Sequence, residues 1–384
     1  MTPLEALLPS ALALAVLAGA PGSRLDDIPP PTDLGQTWVE IGGEVYGAKP
    51  DDLGPIGGGA GYTRVVTDGD HRVSALDELI AALAEAQPGE VVFVDPAGDY
   101  DCTTLVYAEQ LVLEVPEGVT LASNRGQDGS RGAVIYSDAF QTAPLIRATG
   151  PNVRLTGLWV RGPDPKPRLD HHRRSFRADR GDDKVQHEYY YRFPCSKGID
   201  SAFPGLEVDN CEVSGWSIAG IHLSGGDGHR VHHCYIHHNQ YNGLGYGVCL
   251  GSAPAVVLID QNLFNYNRHS IAATGMPGNA YEACNNVEID ASLSHMFDMH
   301  GGRDRGDGTD IAGAWLKVHH NTFRTDRVRA LVVRGTPEEP SEVWGNWLFH
   351  AAPGDAAFMP WPMGGATNLD CRDNAYGREN PTVQ

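Results

Sequence analysis

The chain has 384 residues, enough for one elongated domain or two compact ones, with 46 glycines and 26 prolines. Only 20% of the residues are charged and 41% are hydrophobic, which argues against a disordered chain and indicates a globular protein rich in turns. Acidic residues outnumber basic ones by 49 to 29, and the net charge of −20 argues against nucleic acid as a partner.

Residues 1–61 are predicted to form an apolar segment followed by an irregular lead-in. The apolar run from Leu7 to Ala20 is short for a bilayer, so we expect no membrane span. Its Ala18-Gly19-Ala20 ending is typical of a signal-peptide cleavage site, whereas Glu5 stands where a signal would carry a basic residue. A signal and a capping helix both stay open, and we expect an extracellular or periplasmic protein.

An amphipathic helix is predicted from Ser74 to Ala86. Leu76, Leu79 and Leu83 recur on one face, and Ser74 is expected to be the N-cap residue. After Pro88-Gly89 the pattern changes to short strands, which are expected at 91–94, 111–115 and 119–121. One helix followed by strands alone favours a helix that caps the end of a β-stack.

An internal repeat with the pattern apolar, polar, polar, small, any, apolar runs through the rest of the chain. The fourth positions of its copies are Leu158, Cys211, Cys234, Asn262, Asn321, Asn346 and Asn374, and a weaker copy at 287–292 adds Asp290. Successive spacings from Cys211 are 23, 28, 28, 31, 25 and 28 residues, which suits one coil of a parallel β-solenoid per repeat. An Asn column is expected at this turn, because Asn tolerates left-handed geometry and its amide can bond to the next coil.

A second strand per coil aligns independently of the first. Its copies begin at Ala219, Tyr246, His269, His295 and Arg329. Alternation predicts two inward columns, of which the first contains Ile221, Val248, Ile271, Phe297 and Leu331 and the second Leu223, Leu250, Ala273, Met299 and Val333. Two columns in register favour the solenoid strongly.

The segment 162–198 interrupts the repeat and is too long for a tight turn. We expect it to leave the stack as a loop that serves function. Its His171-His172-Arg173-Arg174 and Tyr189-Tyr190-Tyr191-Arg192 runs are candidates for sugar contact, because aromatic faces stack on sugar rings and Arg binds carboxylate or sulfate.

The outward positions of the second strands collect titratable side chains on one face. Such groups exchange protons near neutral pH or hold an anion, and this favours a functional surface over an incidental polar ladder. With coils ~4.8 Å apart, they are expected within about three coils of one another. The residues are Tyr246, Arg268, His269, His295, Asp298, His300 and Arg334.

The same stretch offers metal ligands, but strand alternation is expected to set His295 and Asp298 on opposite sides unless the backbone bends. Asp304, Asp307 and Asp310 have the spacing of a calcium-type loop without a full ligand set. A metal site is therefore left open, with a divalent cation such as calcium as the possible cofactor. Three His-His pairs at coil turns, 232–233, 237–238 and 319–320, are expected to face solvent or to stack.

The sequence resembles the pectate-lyase-like superfamily of right-handed parallel β-helices. The resemblance is carried by the helix at Ser74 to Ala86, the phrase VPEGVTLASNRG at Val115 to Gly126 and the repeats, and it extends from about Thr63 onward. It implies an all-β solenoid at 62–384 with an N-terminal capping helix. Many members of that superfamily are polysaccharide lyases, hydrolases or epimerases, so the implied partner is an acidic polysaccharide or oligosaccharide.

A lyase needs groups that neutralise a uronate carboxylate, remove a proton and return one. We expect Arg268, with His300 or Arg334, to neutralise, His269 or His295 to act as base, and Tyr246 or Tyr281 to return the proton. A hydrolase on the same fold needs two facing carboxyl groups, of which only Asp298 lies plainly on the face, with Glu282 or Asp304 as possible partners from loops. A noncatalytic glycan-binding solenoid is the third alternative. The residues expected to bind substrate are Arg334, Arg303, Tyr281, His222, Tyr190 and Arg173.

Overall fold

The computed structural model describes residues 30–31, 33–177, 181–354, 358–360 and 368–384. The predicted signal-like segment from Leu7 to Ala20 lies outside these residues. The described residues from Asp33 onward belong to one compact unit. Among the described residues, no helix has the length and apolar character needed to cross a bilayer.

The part of the chain before the coils contains a hairpin and the capping helix. The hairpin consists of β1 (Trp38–Ile41) and β2 (Glu44–Gly47), and it is followed by β3 (His71–Ala75), α1 (Leu76–Glu85), β4 (Val91–Asp101) and α2 (Thr103–Glu109). The predicted helix is therefore confirmed as α1, but its N-cap residue is Ala75. Ser74 lies one residue earlier and donates its backbone N–H and its hydroxyl to the Glu78 carboxylate, so Ser74 is not the N-cap.

The rest of the chain winds through three columns of parallel strands. The first column is a nine-stranded sheet of β5 (Leu113–Val115), β8 (Ile146–Ala148), β11 (Lys197–Ser201), β14 (Ala219–Leu223), β17 (Tyr246–Leu250), β20 (His269–Ala273), β23 (Phe297–Met299), β26 (Leu331–Val333) and β29 (Phe358–Pro360). The second contains β6 (Thr120–Ala122), β9 (Arg154–Thr156), β12 (Glu207–Asp209), β15 (Gly226–His232), β18 (Ala255–Asp260), β21 (Ala280–Cys284), β24 (Trp315–His319), β27 (Ser341–Trp344) and β30 (Leu369–Cys371). The third contains β7 (Val134–Tyr136), β10 (Trp159–Arg161), β13 (Glu212–Ser214), β16 (Tyr235–His237), β19 (Leu263–Asn265), β22 (Val287–Glu288), β25 (Thr322–Phe323), β28 (Trp347–Leu348) and β31 (Ala375–Tyr376), and β32 (Thr382–Val383) pairs antiparallel with β31. The predicted parallel β-helix is confirmed.

The nine-stranded sheet has the register that the sequence predicts. Ile221 pairs with Val248, which pairs with Ile271, and the column continues through Phe297 and Leu331. All five side chains are buried in one continuous apolar core. Because each coil covers the apolar side chains of its neighbours, the stack of coils itself provides the core.

An asparagine ladder runs between the second and third columns. The Asn262 amide donates to the Oδ1 atom of Asn286 at 3.0 Å, and the same contact links Asn286 to Asn321 at 2.9 Å. The predicted column is confirmed except for Asp290, because Asn286 occupies the position four residues earlier. Ala283 pairs with Ile259, and this register leaves Asp290 beyond strand β22.

The insertion at 162–198 was expected to be a loop, but part of it is helical. It contains α3 (Leu169–Ser175) and α4 (Asp183–Arg192). The backbone oxygen of Pro167 accepts a hydrogen bond from the Asn242 N–H at 2.9 Å, and the Tyr241 hydroxyl donates to the Tyr190 oxygen at 2.9 Å. These contacts hold the insertion against the turn that precedes β17, a strand of the nine-stranded sheet.

The three His-His pairs form one repeated arrangement at turns between coils. The pairs 232–233 and 319–320 follow strands of the second column, and the pair 237–238 follows a strand of the third. In each pair the Nδ1 atoms lie 2.8–2.9 Å apart, and Nε2 of the first imidazole lies 3.0–3.1 Å from a glutamate of the preceding coil. His232, His233 and His237 are fully buried, so they do not face solvent as one of the two expectations had it. The other expectation, stacking, is met by His237, whose ring stacks on that of Tyr235 with the centroids 4.1 Å apart. Within each His-His pair the rings meet edge to face.

Candidate active site on the nine-stranded sheet

Tyr246, His269 and His295 lie on successive coils at one edge of the nine-stranded sheet. Tyr246 pairs with His269 in the parallel ladder, and their rings are nearly parallel with centroids 5.8 Å apart. The rings of His269 and His295 are 4.0 Å apart. The coil repeat thus places residues that are distant in sequence side by side.

A bend in the backbone brings His295 and Asp298 together. His295 precedes β23, and Met296 and Phe297 are both buried although they are consecutive. Two successive inward residues break the alternation, so His295 and Asp298 emerge on the same side, with Nε2 and Oδ1 3.0 Å apart. The expectation that they lie on opposite sides is therefore wrong.

Asp298 is the centre of the cluster. Its carboxylate is fully buried. Its Oδ2 atom lies 2.7 Å from Nε2 of His300, and its Oδ1 atom lies 3.1 Å from Nε of Arg334. Nε2 of His269 is 4.0 Å from Oδ2, outside hydrogen-bonding distance. Three imidazoles and one guanidinium thus surround a single carboxylate.

The surroundings lower the pKa values of three groups in this cluster, for different reasons. Burial acts to raise the pKa of Asp298, but His300 and His295 outweigh it and hold that pKa well below its usual value. Burial, then the charge of Arg268, lowers the pKa of His269 far below its usual value. Burial also lowers the pKa of His295. The environment therefore favours the ionised form of the Asp298 carboxylate and the neutral form of the His269 and His295 imidazoles.

Access from solvent differs among these side chains. His269 and Asp298 are fully buried, whereas the side chains of His295, Arg334 and His300 are 11%, 21% and 25% exposed. A substrate on the outer face can therefore reach His300 directly. For the predicted base His269, Tyr246 and His295 cover the ring on both sides.

Arg268 borders the same cluster. Its guanidinium lies 5.9 Å from the Tyr246 ring centroid and contacts the backbone oxygen of Leu244 at 3.5 Å. No carboxylate among the described residues forms an ion pair with it, and its buried Nε atom has no hydrogen-bond partner there. His172 of the insertion is close enough to Arg268 to be affected by its charge. Burial and then this charge lower the pKa of His172. Arg268 therefore offers positive charge to a ligand.

Two of the residues expected to contact substrate lie inside the protein. Tyr281 points into the apolar core from β21 and is fully buried, so it cannot donate a proton to a polymer on the outer face. Tyr190 is also fully buried. It lies on α4 and packs against Tyr241, with the two ring centroids 4.8 Å apart. Both predicted contacts are wrong, because neither local pattern reveals which side of its element faces the core.

The other expected contacts lie nearer the surface. His222 is on the same sheet as Asp298, three coils away or ~14 Å, and its Nδ1 lies 2.6 Å from Asp200. Arg303 is exposed in the short helix α5 (Gly302–Arg305), just after His300. Arg173 is exposed on α3 and pairs with Asp170 at 2.9 Å.

Sequence reasoning missed the partners of two of these groups. Asp200 aligns with His222 in the parallel ladder. An alignment of KGIDS at 197–201 with AGIHL at 219–223 would have identified Asp200 as the partner of His222. Asp304 contacts Arg334 at 3.4 Å, and no strand pattern marks it.

The calcium-like spacing of Asp304, Asp307 and Asp310, for which a solvated turn is the alternative, does not bring these carboxylates together in the described residues. Asp307 accepts hydrogen bonds from Thr309, Asp304 pairs with Arg334, and Asp310 accepts from the Thr336 hydroxyl at 3.4 Å. The three carboxylates have separate partners and do not converge on one point. Among the described residues of the sheet face, it is His269, His295 and Asp298 whose ligand atoms converge, all within 4.8 Å of one another.

No family model and no curated protein matches this chain. Among solved structures, it is similar to an alginate lyase from Paenibacillus sp. str. FPU-7, with 16% identity and a TM-score of 0.48 over 80% of this chain and 98% of the lyase. It is also similar to the catalytic unit of a GH87 alpha-1,3-glucanase from Streptomyces thermodiastaticus strain HF3-3, with 16% identity, a TM-score of 0.44 and 83% and 60% covered. The Dettilon tailspike protein matches with 11% identity, a TM-score of 0.44 and 82% and 66% covered. These likenesses concern the fold alone.

Proposed function

We propose that this protein cleaves an acidic, uronate-containing polysaccharide by β-elimination on the outer face of the nine-stranded sheet. One observation carries the proposal: the Arg268 guanidinium, which has no carboxylate partner among the described residues, lies on the same face as the partly exposed imidazole of His300, which contacts the buried Asp298 carboxylate. Charge recognition and proton transfer are the two requirements of this reaction.

His300 is the group proposed to move the proton. Its Nε2 atom faces Oδ2 of Asp298 at 2.7 Å, which fixes the ring, and its side chain is partly open to solvent. It would take the proton beside the uronate carboxylate and return one to the departing glycosidic oxygen. In this assignment His269 and His295 support the cluster from behind, which differs from the roles expected from sequence.

Arginines are proposed to hold the carboxylates of the polymer. Arg268 and the exposed Arg303 form no ion pair among the described residues, whereas Arg334 is shared between Asp298 and Asp304. A positive surface on a chain of net charge −20 favours an anionic ligand over a neutral one. Tyr246, whose pKa burial raises, stays protonated beside Arg268 and offers its ring to a sugar.

A glycoside hydrolase on this face is less well supported. Hydrolysis requires two carboxyl groups that flank the bond, one of them protonated. Asp298 is fully buried with its pKa lowered, and Asp304 contacts Arg334. Neither is placed as a proton donor, so elimination is the better proposal.

The test is to incubate the purified protein with polymers of different uronic acids and with a neutral glucan. Elimination leaves an unsaturated sugar that absorbs ultraviolet light, whereas hydrolysis leaves a new reducing end without that absorbance. We expect the absorbing product from at least one uronate polymer and none from the glucan. Shortened chains without absorbance would indicate a hydrolase, and binding without shortening would indicate a noncatalytic glycan-binding protein. Such a substrate also implies a protein that acts outside the cytoplasm.

A further inference from the structure

We propose that His269, His295 and Asp298 together bind one divalent transition-metal cation of the zinc type. The inference rests on the side-chain geometry and does not depend on the proposed function. It concerns atoms behind the outer face rather than the residues proposed to contact the polymer.

The first argument is distance. One ligand atom from each residue, Nε2 of the two imidazoles and a carboxylate oxygen, lies within 4.8 Å of the other two. His295 is 3.0 Å and His269 4.0 Å from the carboxylate. Ligands ~2.05 Å from a tetrahedral zinc ion are roughly 3.3 Å apart, so these spacings bracket what the ion requires.

The second argument is hydrogen-bond accounting. Nδ1 of His269 contacts the backbone oxygen of His295, which can only accept, so Nδ1 carries the proton and Nε2 presents a lone pair. This Nε2 atom is fully buried and has no hydrogen-bond partner among the described residues. A buried lone pair aimed at a carboxylate is costly unless a cation lies between them.

His295 lies between groups of opposite kind. Its Nε2 atom is 3.3 Å from Nη2 of Arg334, which only donates, and 3.0 Å from Oδ1 of Asp298, which only accepts, so its role there depends on its tautomer. Its Nδ1 atom lies 3.3 Å from the Ser294 hydroxyl, which can accept a hydrogen bond. In the tautomer with Nδ1 protonated, the Nε2 lone pairs of His295 and His269 both face the Asp298 carboxylate, and a bound cation satisfies all three.

The ligand chemistry indicates the class of ion. Two imidazoles and one carboxylate suit zinc and neighbouring transition metals, whereas calcium takes six to eight oxygen ligands. The expectation of calcium therefore does not fit this set. His300 and Arg334 contact the Asp298 carboxylate from outside, as groups that orient a metal ligand do.

A second group, Glu282, Cys284 and His319, also has ligand atoms close together. There Nε2 of His319 already bonds to Glu282 at 3.0 Å. His232 with Glu207 and His237 with Glu212 repeat that contact in other coils, so the arrangement belongs to the turns. Among the described residues, none of its nitrogen or oxygen ligand atoms is both buried and without a hydrogen-bond partner, and Cys284 serves as the control.

The experiment is calorimetric titration of zinc chloride into the full-length protein after removal of metal with a chelator. We expect one equivalent to bind, and binding roughly 100-fold weaker or lost in His269→Gln and His295→Gln. Two control variants, Cys284→Ala and His222→Gln, are expected to bind as the wild type does. Far-ultraviolet circular dichroism checks that each variant is folded.

His295 is partly exposed, so His295→Gln serves if His269→Gln fails to fold. Zinc is also expected to raise the Tm of the wild type and not that of His295→Gln. No zinc binding by the wild type, full binding by His295→Gln, or loss of binding in Cys284→Ala would each overturn the proposal. None of these measurements uses a polysaccharide, so failure of the metal site and failure of the proposed function are distinguishable.

Discussion

Oδ2 of Asp298 lies 2.7 Å from Nε2 of His300, and this contact joins a fully buried carboxylate to an imidazole that solvent reaches. Asp298 comes from the middle of β23 and His300 follows its last residue. Both face the same side of the sheet because they are two residues apart in an extended strand. The rigid coil therefore orients the group that we propose to act on substrate.

The first prediction concerns the charge of Asp298. Asp298→Asn leaves the Arg334 guanidinium without its closest buried partner, and we expect the free energy of unfolding to fall by about 3 kcal/mol. Glu342→Gln is the matched control, because its pair with Arg372 is solvent-exposed and is worth less than about 1 kcal/mol. Urea unfolding in metal-free buffer measures both. Equal losses in the two variants would contradict the central role of Asp298.

The second prediction concerns Glu288, which occupies an inward position between Phe264 and Phe323. Burial raises its pKa to about 8. Because the folded pKa lies above the unfolded one, the protonated carboxyl contributes stability at low pH, and this contribution is lost as pH rises toward 8. Glu288→Gln removes that dependence.

We therefore expect Glu288→Gln to unfold with a free energy higher than the wild type by on the order of 3 kcal/mol at pH 7.5. Below about pH 4 the two proteins should differ little, since the carboxyl is then neutral in both states. Urea unfolding at the two pH values measures this difference. A difference that does not change with pH would show that the pKa of Glu288 is the same in the folded and unfolded states, and that burial does not raise it.

The third prediction concerns the asparagine ladder. Asn321 donates to the Ala283 oxygen at 2.8 Å and to Asn346 at 3.0 Å, and it accepts from the Asn286 N–H at 3.0 Å. Asn321→Ala leaves these buried groups unpaired, at a cost of about 2–4 kcal/mol in the free energy of unfolding. Asn374 ends the ladder and donates to backbone oxygens alone, so Asn374→Ala should cost less. Equal costs in denaturant unfolding would mean that the ladder adds nothing beyond single contacts.

The fourth prediction concerns Arg268 and rests on the proposed function. Arg268→Gln removes the unpaired charge, and we expect KM for an acidic polymer to rise roughly 10- to 100-fold, the value of one or two charge-assisted hydrogen bonds. A smaller effect on kcat is expected, because Arg268 is assigned to binding. Arg72→Gln, near the capping helix, pairs with Asp95 away from the sheet face and should change neither constant. Steady-state kinetics against the uronate polymer tests both variants.

The coil register could be predicted from sequence because apolar columns repeat with the chain. Ile221, Val248 and Ile271 recur at one position of their coils, and only a parallel stack buries all three. The one error in the ladder, Asp290 in place of Asn286, arose where successive coils are 24 and 35 residues long. Because these lengths differ, the repeat period no longer predicts which residue occupies the ladder position.

The site could be predicted as a set of residues but not as an arrangement. Register brings His269, His295, Asp298, His300 and Arg334 together as expected. Alternation alone does not place His269, two residues before the inward Ile271, beside Asp298, and the bend at Met296 was not predicted. That bend depends on which side chains the interior accommodates, and a local pattern does not contain this information. The burial of Tyr190 depends likewise on how α4 packs against Tyr241.

The most direct test of the proposed activity compares His300→Gln with the wild type on a uronate polymer. Gln keeps a polar side chain of similar reach but cannot exchange a proton near neutral pH, so we expect kcat to fall by roughly 10²- to 10⁴-fold while polymer binding persists. Formation of the unsaturated product, followed by ultraviolet absorbance, measures kcat. An unchanged kcat in a folded His300→Gln variant would contradict the account, because proton transfer would then have to occur elsewhere on the molecule.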